Sequence, residues 1–110
     1  MRARRSSEPP LPPEVGRVVI ALCGDYDRRE GVLRRGEAPP EVLCTYESLN
    51  RGIDRAIAAV CEESIRTQLR RDIGERRGAR RSPIATISEG TYKRRKRESA
   101  LRIARELNLV

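Results

Sequence analysis

Residues 41–71 read EVLCTYESLNRGIDRAIAAVCEESIRTQLRR, and the spacing of their apolar positions decides the fold. Val42, Leu43, Tyr46, Leu49, Ile53, Ile57, Val60 and Ser64 step mostly by three and four, and the stripe continues through Ile65 and Leu69. That period belongs to one face of an α-helix; side chains of a strand alternate every two residues. The spacing predicts one long helix from Glu41 to about Arg71, with Gly52 as its bend. A helix of that length in a small protein needs a cover for its stripe, either another helix of the same chain or a second copy.

The residues on either side extend the helical reading. Arg35-Gly36-Glu37-Ala38-Pro39-Pro40 is a linker, because glycine ends one helix and tandem proline pre-sets the next. Upstream of it, Val15, Val18, Val19, Leu22, Tyr26 and Leu33 share a face, which predicts a helix of about 20 residues starting near Pro13. Gly16, Gly24 and Gly31 weaken that helix by roughly 1 kcal/mol each relative to Ala and admit a break near Cys23-Gly24. Residues 1–12, MRARRSSEPPLP, read as a mobile basic and proline-rich arm.

Downstream, Gly74, Gly78 and Pro83 interrupt the period, and a short helix or turn is expected there. Ser88 suits the N-cap of a final helix from Glu89 to about Leu107, with Glu89 favourably placed in the first turn. Tyr92, Lys96, Ala100, Ile103, Ala104 and Leu107 fall on one face of it; Arg94, Glu98, Leu101 and Arg105 fall opposite. The expected architecture is all-α, with a flexible arm over 1–12, a helical scaffold or oligomerisation region over 13–71 and a basic DNA-binding region over 72–110.

Composition narrows the function. A chain of 110 residues fits one domain, and with three Tyr and no Phe or Trp its core must be built from Leu, Ile, Val and Ala. The absence of His removes the usual general base near neutral pH and the commonest zinc ligand. Ser6, Ser7 and Ser82 have no evident base. Asp25 with Asp27, and Glu62 with Glu63, read as solvated acids that diverge on a helix. No catalytic residue, cofactor or metal is therefore expected. Cys23, Cys44 and Cys61 lie 21 and 17 residues apart without a C-x-x-C pair and read as buried, reduced thiols, which points to a cytoplasmic protein. The longest apolar run, Val18 to Cys23, is too short to span a bilayer, and Ser6-Ser7-Glu8-Pro9-Pro10 after the N-terminal arginines does not read as a signal peptide.

Charge points to an acidic partner. The formal net charge is +8; residues 1–60 hold 10 basic and 9 acidic groups, whereas residues 61–110 hold 14 and 7. All but Lys93 and Lys96 of the 24 basic residues are Arg, whose planar fork suits bidentate contact with phosphate and guanine. From Arg76 to Arg97 nine basic residues face a single acid, Glu89, and the last five of them lie in the first turns of a capped amphipathic helix. A charged tail has no use for such an apolar face, so double-stranded DNA is the expected partner. In the manner of a recognition helix, Arg94 and Arg95 would reach guanine, Thr91 a thymine methyl or phosphate, and Lys93 and Arg97 phosphates. The amides near Ser88 add an anion site, Arg80 and Arg81 extend the basic set, and Tyr92 can turn its ring inward and its hydroxyl towards phosphate. The shortage of aromatics disfavours RNA-stacking modules.

Residues 87–109, ISEGTYKRRKRESALRIARELNL, resemble the final helix of phage and prophage late transcriptional regulators of the ArpU/RinA type. The resemblance has weaker echoes in D-Y-x-R-R at Asp25 to Arg29 and I-D-x-A-I at Ile53 to Ile57. It implies a sigma-region-4-like helix-turn-helix that switches on late operons, with Ser88, Thr91, Tyr92, Arg94 and Arg95 at the DNA and RNA polymerase as a further partner. Ala79 to Ile87 depart from the family pattern, since Arg80, Arg81 and Pro83 leave the first helix of the motif short or displaced. The expectation is a sequence-specific regulator and not an enzyme, working as a homodimer if the stripe from Leu49 to Val60 is covered by a second copy. The alternatives are a small-terminase-like packaging adaptor and a helical protein whose basic face binds an acidic protein.

Overall fold

A computed structural model of the chain describes residues 11–75 and 87–110. These residues form α1 (Pro13–Gly24), α2 (Tyr26–Arg35), α3 (Pro40–Ala58), α4 (Glu63–Gly74) and α5 (Glu89–Glu106), and no strand occurs among them. The all-α expectation is met. Most of the arm and the whole segment 76–86, including Gly78, Arg80, Arg81 and Pro83, lie outside the described residues.

The first helical stretch does break, one residue after Gly24. Asp25 leaves helical geometry at φ −97° and ψ 3°, and α2 starts at Tyr26. Helix ends leave carbonyls without an intrahelical partner. Here the Leu22 carbonyl is taken by the guanidinium of Arg29, which is only 2% exposed and also donates through Nε to Asn50 Oδ1 at 2.7 Å. Asn50 in turn donates to the Tyr26 carbonyl at 3.2 Å and to Glu30 at 2.8 Å, so one buried Asn–Arg pair ties the α1–α2 corner to α3. The linker behaves as read: Gly36 closes α2 in the left-handed region at φ 66°, and Pro40 opens α3.

The long second helix is not one helix. α3 ends at Ala58 and α4 begins at Glu63, because Glu62 adopts extended geometry at φ −62° and ψ 146°. The stripe survives the corner because both helices turn it to the same core: Ile53, Ala56 and Ile57 of α3 join Ile65, Leu69 and Ile73 of α4. Gly52 is not a bend. It is buried where α5 rests on α3, and a Cβ there would lie 2.7 Å from Leu107 Cδ2. Ile53 and Ile57, the middle of the stripe, are buried within one chain by the neighbouring helices, while Leu49 and Val60 at its ends are half-buried. On α1, Cys23 takes the inward place expected of Val18, which is 43% exposed. Cys44 is exposed, unlike Cys23 and Cys61, and corrects the expectation of three buried thiols.

α1 and α4 cross at a point where only backbone fits. A Cβ on Gly74 would meet Gly24 N and Cα at 2.6 Å and the Cys23 carbonyl carbon at 2.9 Å, and none of these atoms can rotate away. Gly74→Ala is therefore expected to destabilise the fold by about 1–3 kcal/mol, the usual range for overpacking. Gly16→Ala, in mid-helix with nothing within 4 Å of the added carbon, should instead stabilise by about 1 kcal/mol. Urea unfolding measures both; equal effects of the two substitutions would remove the close crossing from the account.

Candidate nucleic-acid interface

α5 is held at both ends. Ser88, extended at φ −68° and ψ 160°, accepts the Thr91 N–H on its Oγ at 3.1 Å, as its N-cap position required. At the other end Asn108 turns left-handed at φ 59°, with its N–H on the Arg105 carbonyl at 3.1 Å and the Leu109 N–H on the Ala104 carbonyl at 2.7 Å. This is a Schellman closure, and Leu109 packs on the core as the motif favours. Arg55 of α3 pairs with Glu106 at 2.9 Å beside it.

Between its ends the helix divides into two faces. Tyr92, Ser99, Ile103 and Ala104 are buried; the seven- and four-residue steps from Tyr92 through Ser99 to Ile103 keep these on one side, and Ala104 flanks them. Lys96, Ala100 and Leu107 are half-buried beside them, so the expected inner face is present with Ser99 added. Ser99 lies against Cys61 of the α3–α4 corner, Oγ to Sγ 3.3 Å. Lys93, Arg94 and Arg97 are exposed on the other side. Their i, i+1, i+4 spacing clusters three cations within neighbouring turns of one helical surface.

The sequence-predicted DNA residues divide accordingly. Ser88, Lys93, Arg94 and Arg97 are exposed, and Thr91 is half-exposed with its Oγ1 accepting from Ser88 at 3.0 Å. Arg80 and Arg81 lie outside the described residues. Tyr92 does not reach the surface: it is 0% exposed, and its hydroxyl donates to Asp72 Oδ2 of α4 at 2.6 Å. That assignment is corrected, because a buried phenol prefers a fixed acceptor to solvent and Asp72 supplies one. Gln68 steadies the other oxygen of Asp72 from one turn earlier, at 2.8 Å. Arg95 is half-buried and faces inward, its Nε and Nη2 each 3.3 Å from a carboxylate oxygen of Glu62.

The electrostatics follow the burial. Desolvation, then the bond to Asp72, then the Asp72 charge push the Tyr92 phenol well above its ordinary value. Burial and then the bond to Asp54 do the same to Tyr26, whose ring lies 3.8 Å below the Arg70 guanidinium. Desolvation lifts the Cys23 thiol to about 12, against the opposing pull of Arg70 and Arg29. Lys96 is pushed down, also by burial, with Asp72 acting in the other direction. Three of the four acids weighed as metal ligands are engaged by arginine: Asp25 by Arg28, Asp27 by Arg70 and Arg71, and Glu62 by Arg95. Among the described residues no group of three His, Cys, Asp or Glu side chains is placed to hold a metal, and no helix is long and apolar enough to cross a membrane.

Asp72, Gln68 and Ser99 went unnoticed in the sequence, and Glu62, read there as a solvated acid, is instead paired with Arg95. Asp72 had a signal, since it falls next to Ile73 on the continuation of the Ile65 and Leu69 stripe, where a carboxylate needs a partner. A helix-turn-helix joins its two helices through about 3–4 residues; α4 ends at Gly74 and α5 starts at Glu89, so α4 is not the first helix of such a motif. Comparison with protein-family models, curated proteins and solved structures returns no match for this chain.

Raised thiol and phenol values in the fold mean that folding favours the protonated forms. That stability is complete below the unfolded values of 9.0 for Cys23 and 10.0 for Tyr92, and it is lost as pH rises past them towards the folded values. The urea midpoint should thus fall from about pH 9 upward. Tyr92→Phe should cost about 1–3 kcal/mol at neutral pH, by leaving Asp72 one donor short, and should flatten the alkaline limb. A flat midpoint up to pH 11, or a Phe variant as stable as the wild type, would contradict the buried Tyr92–Asp72 bond.

Proposed function

We propose that the chain is a sequence-specific double-stranded DNA-binding transcriptional regulator, and not an enzyme, that reads DNA with the N-terminal half of α5. One observation carries the reading: Lys93, Arg94 and Arg97 are exposed together on a helix whose opposite face is locked into the core by Tyr92, Ser99, Ile103 and Ala104. A solvated charge run gains nothing from such docking, whereas a rigid cationic helix end is what entry into the major groove requires. Arg94 takes the base-reading role, Thr91 and Ser88 lie at the helix start near the backbone, and Lys93 and Arg97 hold phosphates.

The likeness of residues 87–109 to phage and prophage late regulators supports this reading, in which the chain acts on late genes with RNA polymerase as a further partner. The packaging-adaptor reading drew on an oligomerising core, and the burial of Ile53 and Ile57 inside one chain favours the regulator over it.

Arg94→Ala is expected to weaken specific binding by roughly 1–3 kcal/mol and to relax one base position. Lys93→Ala or Arg97→Ala should weaken specific and random duplexes alike and lower the salt slope by about one. A footprint over the late-promoter region of the encoding genome, with titrations at two salt concentrations, reads both. Failure to bind any duplex at low salt would replace this function with that of a helical protein whose basic face takes an acidic protein.

A further inference from the structure

We infer that Glu62 is a built-in stand-in for phosphate: its carboxylate occupies Arg95 in the free protein, keeps that guanidinium from loosely bound DNA, and yields it only in a closely docked complex. This inference rests on the DNA-binding reading of α5.

The geometry is that of anion recognition. Nε and Nη2 of Arg95 face the two oxygens of one carboxylate, each at 3.3 Å, in the fork arrangement that arginine also offers to phosphate. Both distances exceed the roughly 2.7–2.9 Å of a tight charge-assisted bond, and the side chains keep 29% and 46% of their exposure, so the pair is exchangeable. Arg66 stands at the same corner, with its Nε on the Cys61 carbonyl at 2.9 Å. The α3–α4 corner thus sets a carboxylate beside the second turn of α5, between two guanidinium-bearing elements.

Glu62 precedes α4 in the N-cap position, where its carboxylate accepts from its own backbone N–H but makes no capping bond to the helix. Its effect falls on Arg95, which like Lys96 is half-buried, while Lys93, Arg94 and Arg97 stay open to solvent. A duplex held at arm's length by those three cations meets the Glu62 charge without gaining Arg95. A duplex seated against the corner exchanges the carboxylate for one of its own phosphates. Glu62 is in this sense a specificity-determining residue, since it penalises loose complexes more than seated ones.

The test is a fluorescence-anisotropy titration of a short random-sequence duplex with the full chain at two salt concentrations. Wild type, Glu62→Gln, Arg95→Gln and the double variant are compared, with Glu62→Ala as a second charge-removing substitution. Freed Arg95 should tighten random binding by about three- to five-fold in Glu62→Gln and Glu62→Ala, the scale of one exposed ion pair. It should also steepen the salt slope by about one. Both gains should largely vanish in the Arg95→Gln background, because the coupling belongs to the pair. An unchanged affinity, or an equal gain with and without Arg95, overturns the masking role and leaves the DNA-binding reading standing. A wild type that binds no duplex overturns both.

Discussion

The hydrogen bond from Tyr92 to Asp72 is the constraint on which the functional surface depends. It is buried, 2.6 Å long and formed between the first turn of α5 and the last turn of α4, so it fixes the rotation of α5 about its own axis. Rotation matters because a helix presents a different surface every 100° or so. With Tyr92 turned in, Lys93, Arg94 and Arg97 are turned out. The Ser99–Cys61 contact and the seat of Leu107 on Gly52 repeat the same setting further along, and an exposed cluster of like charges, which repels itself, stays on a docked helix instead of fraying from it.

A second set of polar contacts holds the scaffold against which α5 rests. Arg29 takes the Leu22 carbonyl left at the α1–α2 break, Asn50 bonds the Tyr26 carbonyl, and Tyr26 bonds Asp54 through both carboxylate oxygens, at 2.8 and 3.0 Å, beneath the Arg70 guanidinium. A thin aliphatic core with few aromatics cannot specify one packing by shape alone. These buried groups supply direction, since each is held by fixed partners at one geometry and leaving it unpaired costs about 1–3 kcal/mol. The Gly24–Gly74 crossing adds a steric version of the same rule: α1 and α4 meet backbone to backbone, and only that register is free of clash.

What could be read from the residues was local. The Ser88 cap, the linker at Gly36 to Pro40 and the inner face of α5 depend on neighbours within a turn or two, and they stand where spacing put them. The corner at Ala59 to Glu62 escaped notice because it contains no Gly or Pro and the apolar period passes through it in phase, both helices sharing one core. Gly52 misled for the opposite reason: a glycine that reads as a bend is needed for the close approach of Leu107 at the end of α5, far along the chain. The direction of Tyr92 and the pairing of Arg95 were equally hidden, since Asp72 and Glu62 lie 20 and 33 residues away in the chain. Side chains that choose between core and ligand do so by partners that only the fold brings near.

The central claim is that a docked α5 offers its Lys93, Arg94 and Arg97 surface to duplex DNA. An amide-resolved NMR titration of the isotope-labelled full chain with a short duplex tests it most directly. The account places the shifts on residues 88–98 and on the α3–α4 corner at Cys61 to Arg66, with the α2–α3 linker around Gly36 unmoved. Shifts centred on that linker, spread evenly over all five helices or absent at low salt would contradict it.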